Sequence, residues 1–80
     1  MSEALTRDLA ETAGQIVFDF NWEPGMDEII YDFWNGYEES GEETPCNSPD
    51  MLAHACKIVH TYRQAGFEFN ECVKAAEIGA

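Results

Sequence analysis

The chain has 80 residues, with sixteen Asp and Glu against four Lys and Arg, a formal charge of −12 and 45% hydrophobic residues. Its apolar share and ten aromatics exclude a disordered tail, and its length allows one small domain that buries only about 60–65% of its unfolded surface. Charge of this sign repels nucleic acid and anionic membrane and favours a basic partner.

The pattern predicts an all-α fold of four helices, at about 3–21, 26–37, 49–65 and 70–78, arranged as two helical hairpins in a single domain spanning 1–80. In the first helix Ser2 is the expected N-cap, Glu3 and Arg7 stand four apart as a supporting pair, and the apolar positions 5, 9, 13, 16, 17 and 20 form a stripe. Gly14 weakens this helix by roughly 1 kcal/mol relative to alanine. Ile16, Phe18, Phe20 and Trp22 also alternate with less apolar residues, so an α+β fold with a short strand at about 15–22 is the alternative. A helix is preferred because its only evident strand partner, Phe67-Glu68-Phe69, would make a marginal two-stranded sheet.

Pro24 and Gly25 break the chain before the second helix, whose stripe is Met26, Ile29, Ile30, Phe33, Trp34 and Tyr37. Asp27 and Glu28 sit in its first turn, where carboxylates complement the helix dipole. An acidic loop is expected at about 38–48, from its Glu, Ser, Gly, Thr and Pro content. Ser48-Pro49-Asp50 is the clearest helix start in the chain, with Ser as N-cap and Pro at the first helical position. The third helix turns Leu52, Ala55, Cys56, Val59 and Tyr62 inward and stops at Gly66. Asn70 caps a short fourth helix with Cys72, Val73 and Ala76 inward. An internal echo, resting on few identities, relates Leu9-Ala10 to Leu52-Ala53 and Asp27-Glu28 to Asn70-Glu71, in keeping with two hairpins.

Cys46, Cys56 and Cys72 make no disulfide framework, since one of three is left over. The first fourteen residues lack a signal-peptide apolar region, and no apolar run reaches membrane-spanning length. A cytoplasmic protein with free thiols and no membrane contact is expected. Cys56 and His60 lie four apart, a spacing that suits a metal, yet Cys56 falls on the apolar stripe and no C-x-x-C pair accompanies it. The segment EESGEETP lacks the alternating oxygen ligands of a calcium loop. No nucleophile with an orienting base is encoded, so the expectation is a non-enzymatic protein with no catalytic residue, no metal and no cofactor.

The informative stretch is Glu23 to Glu43. It carries eight carboxylates (Glu23, Asp27, Glu28, Asp32, Glu38, Glu39, Glu42 and Glu43) and no Lys or Arg. Helical carboxylates four apart lie roughly 6 Å from one another, a spacing comparable to that of neighbouring phosphates on a nucleic-acid strand. Trp34 and Tyr37 beside them have the character of interface anchors. These ten residues are the expected partner-binding set. Asp32, Glu38 and Glu39 lead it, because the helix N-terminus does not account for them.

In size, acidity and lack of a catalytic signature, the chain resembles as a class the small phage-encoded proteins that disarm host defence, anti-CRISPR and antirestriction proteins among them. These share no consensus, so the resemblance covers no particular stretch and carries over no residue. It implies a stoichiometric inhibitor acting in the host cytoplasm by DNA mimicry, on a Cas or restriction subunit that binds nucleic acid. The alternative is a small helical adaptor that dimerises through the face of the first two helices, without nucleic-acid mimicry.

Overall fold

A computed structural model describes residues 4–79, and among them the chain is all-helical: α1 Arg7–Asp19, α2 Asp27–Ser40, α3 Pro49–Gln64 and α4 Phe69–Ile78. The four-helix expectation holds. The strand alternative falls, because backbone bonding remains helical through Asp19 and Trp22 turns into the core.

Helix α1 begins later than the periodicity predicts. Thr6 is its N-cap, with the hydroxyl accepting from the Leu9 N–H at 3.3 Å, and Arg7 pairs with Glu11 at 2.8 Å. The expected Ser2 cap and the Glu3–Arg7 pair lie outside the described residues. At its far end α1 is closed by Arg63 of α3, whose Nη1 donates to the Val17 carbonyl at 2.8 Å. The same guanidinium lies 4.7 Å from the Phe18 ring centre, and its Nη2 donates to Asn21 Oδ1. A cation there satisfies a helix-end carbonyl and complements the negative end of the dipole. Asn21 itself takes a left-handed φ of 51°, which turns the chain away from α1.

Helix α2 runs to Ser40, three residues beyond its expected end at Tyr37. Glu38 and Glu39 are good helix formers, and it is Gly41, at φ 74°, that supplies the left-handed stop. The acidic loop therefore starts at Gly41 and not at Glu38. Helix α3 starts where Ser48-Pro49 predicts, with Ser48 Oγ accepting from the Met51 N–H. It ends in a Schellman turn: Phe67 N–H donates to Tyr62 O, Gly66 N–H donates to Arg63 O, and the Tyr62 and Phe67 rings pack 5.4 Å apart. For α4 the cap is Glu68, not Asn70, and the Glu68 N–H donates to Glu71 Oε1 at 3.0 Å.

The packing departs from two successive hairpins. Helix α1 lies against both α3 and α4, α4 also lies against α3, and α2 rests mainly on α3. The reason is residue size. The α1 face carries Ala10, Ala13 and Gly14 between Leu9, Ile16 and Val17, so two helices approach it closely. By contrast α2 fully buries Ile30 alone, with Ile29, Phe33 and Trp34 packed partly against the core. A face of bulky side chains covers the edge of a three-helix core and enters it fully only at Ile30.

Two glycines within helices have opposite roles. A Cβ on Gly14 would meet Phe69 Cε2 at 2.7 Å, whereas a Cβ on Gly36 would meet nothing within 4 Å. Gly14→Val should therefore destabilise the domain by about 1–3 kcal/mol through overpacking. Gly36→Ala should stabilise it by about 0.5–1 kcal/mol through helix propensity. Denaturant midpoints that moved in the same direction for both variants would contradict this placement.

Candidate functional interface

All eight carboxylates between Glu23 and Glu43 are exposed. Their positions follow from the helix: at about 100° per residue, Glu28, Asp32 and Glu39 fall within about 40° of one another on one flank of α2. Asp27 and Glu38 stand roughly 100° further round, beyond Tyr31 and Asn35, on the opposite flank. Glu23 precedes α2 in the connecting turn, and Glu42 and Glu43 follow it. The acids thus form two flanks with a continuation past the helix C-terminus.

The fold adds acids that are remote in sequence. Asp8 and Glu11 of α1 meet Glu43 and Tyr37 around a notch of about 250 Å³ that Thr12 and Thr44 also line. A longer reading frame for the charge, extended to the exposed side of α1, would have found Asp8 and Glu11. Tyr37 and Trp34 are both half-buried, with Trp34 packed against the core.

Exposure of aromatics differs from expectation. Trp22, two residues after Phe20 in the alternating run, is 1% exposed, its Nε1 donates to the Met26 carbonyl at 3.0 Å, and its ring lies edge-on to His60. Phe20, which the alternation groups with the core, is instead 50% exposed. It packs edge-on against Phe33 of α2 at 5.2 Å. Beside this pair runs an open apolar groove of about 560 Å³, floored by Phe20, Ile29, Phe33 and Gly36. Asp32, Tyr37 and Glu42 complete its walls, so two of the expected partner-binding carboxylates stand at the rim of an apolar surface. Sequence reasoning missed the roles of Phe20, Ile29, Phe33 and Gly36. The available signal was the spacing 29, 33, 36, in which an apolar ridge ends at a glycine.

The three cysteines are free thiols. Burial, with the nearby Cys46 adding to it, pushes the Cys56 thiol up to about 12, and burial also raises Cys46 and Cys72. A thiol held protonated is neither a good nucleophile nor a metal ligand. Among the described residues no group of three or more His, Cys, Asp or Glu is disposed to share a metal ion. No helix among them is long and apolar enough to cross a membrane. Comparison with protein-family models, curated proteins and solved structures finds no match for this chain.

Proposed function

We propose, for a fold without a matched relative, that this is a non-enzymatic acidic inhibitor that occupies the basic nucleic-acid-binding surface of a host defence protein, in the manner of anti-CRISPR or antirestriction DNA mimics. The observation that carries this reading is the exposure of every carboxylate from Glu23 to Glu43, joined by Asp8 and Glu11 across the fold. Surfaces that bind nucleic acid are rich in Lys and Arg, and a folded array of carboxylates competes for the same groups. Such a partner is captured without direct contact between this chain and nucleic acid.

The test is capture of partners on tagged protein from a candidate host lysate, with and without excess duplex DNA, at low and moderate salt. A nucleic-acid-binding protein displaced by DNA is the expected result, with affinity falling steeply as salt rises. Asp32→Lys combined with Glu38→Lys should weaken that complex by about tenfold or more while leaving the helical circular dichroism intact. A partner held equally well with DNA present would place the contact outside a nucleic-acid channel. The second reading is the adaptor that dimerises through α1 and α2: the half-exposed Phe20 supplies apolar surface for it while the acidic rim beside Phe20 opposes it, and a concentration-dependent mass at high salt is the discriminating observation.

A further inference from the structure

The groove between the end of α1 and α2 is apolar along its floor and acidic at its rim. Phe20 remains half exposed there although its ring packs on Phe33, and Ile29 is only partly covered. Gly36 keeps the groove open at a cost to the helix, since glycine within a helix is less favourable than alanine and no neighbour forbids a Cβ. The volume of about 560 Å³ gives room for a large side chain, on a surface that stays open to solvent along one side.

We infer that this groove seats a large apolar side chain of a basic helical segment of the partner, with flanking Lys or Arg of that segment reaching Asp32 and Glu42. The inference rests on the reading of a basic protein partner and adds to it the anchor. Charge complementarity selects the occupant. A second copy would bring the same rim against itself across a two-fold axis, Asp32 and Glu42 facing like charges on a chain of formal charge −12. A neutral apolar segment would fill the floor and leave the rim carboxylates partly desolvated and unpaired. A basic amphipathic helix satisfies both parts: its apolar ridge, with anchors three and four residues apart, lies on Phe20, Ile29 and Phe33, and its cationic flanks meet the rim. Steering by charge then brings the segment in, and burial of the anchor slows its release.

The test uses the whole chain and three fluorescein-labelled helical peptides: one Lys/Arg-rich with a Leu and Phe ridge, one of equal charge with that ridge changed to Ala, and one with the ridge but Gln for every Lys and Arg. Fluorescence anisotropy near physiological salt should show the first bound at least about tenfold more tightly than either of the others. Gly36→Gln, which projects a side chain into the groove while favouring the helix, should abolish that advantage without lowering the melting temperature. Equal affinity for the two charged peptides would remove the groove while leaving the basic-partner reading in place. Equal affinity for the two ridged peptides would keep the groove but overturn the basic occupant and the reading it rests on. Binding of none of the peptides, or self-association in sedimentation that Gly36→Gln abolishes, would overturn the inference.

Discussion

Trp22→Ala should lose about 3–5 kcal/mol of folding free energy, the range for truncating a fully buried aromatic. Stability of the order of 4–12 kcal/mol is usual for 80 residues, so this is a large fraction of the whole. At about 4–8 °C per kcal/mol for a domain of this size, the melting temperature should fall by at least about 12 °C, or the cooperative transition should vanish. The cause is local and structural. Trp22 lies in the connection between α1 and α2, its ring meets His60 of α3, and its Nε1–H donates to the carbonyl of Met26, the N-cap of α2. One side chain therefore fixes where the second helix starts relative to the third. Because α2 fully buries only Ile30, its remaining hold on the core is the partial packing of Ile29, Phe33 and Trp34. Trp22→Phe, which keeps an aromatic ring but removes the donor, should cost less. Thermal unfolding followed by circular dichroism checks both variants, and a fall of less than about 4 °C for Trp22→Ala would contradict the placement of this ring.

The second large effect is a loss of stability at alkaline pH that traces to Cys56. The thiol is fully buried, and its pKa in the fold is pushed up to about 12 from the ordinary 9.0, first by burial and then by Cys46 nearby. Below pH 9 the thiol is protonated in both folded and unfolded chains and stability is unaffected by it. Between pH 9 and about 12 the unfolded chain gives up the proton while the folded chain keeps it, so the unfolded state binds fewer protons and stability falls as pH rises. The full interval corresponds to on the order of 4 kcal/mol, at about 1.4 kcal/mol for each pH unit. Denaturant unfolding of wild type and Cys56→Ala from pH 8 to 11 isolates this contribution. The wild-type profile should be the steeper above pH 9, so that the two curves converge. Parallel profiles would show that the Cys56 thiol titrates alike in both states.

Both effects bear on the interface. Trp22 and Cys56 belong to the single core on which α2 rests, and α2 carries one side of the apolar groove together with five of the eight exposed acids. The proposed docking surface is thus built on the helix with the least burial, and loosening that helix should weaken binding of the proposed partner without touching a rim carboxylate.

Much was legible from short-range chemistry. The Ser48-Pro49 start and the Pro24-Gly25 break are local signals that backbone preferences carried into the structure, and a helix follows each of the four apolar stripes, although Phe20 and Met26 of those stripes lie exposed. Net charge also determined that the surface is acidic, since sixteen carboxylates cannot be hidden in a domain of this size. Other features depended on competition between nearby candidates. Thr6, Gly41 and Glu68 ended up as the boundary residues, where Ser2, Glu38 and Asn70 were expected, because each helix extends until its end groups find partners. Only the tertiary structure decided which aromatics are covered. Phe20 and Trp22 are two residues apart and equally apolar in the pattern, yet across the left-handed turn at Asn21 Trp22 enters the core against His60 of α3 and Phe20 stays outside. Helical periodicity specifies a face but not what packs on it. Since α1 took α3 and α4 as neighbours through its small residues, the ridge of Ile29 and Phe33 was left with one open side, and a pattern that reads as core became a groove.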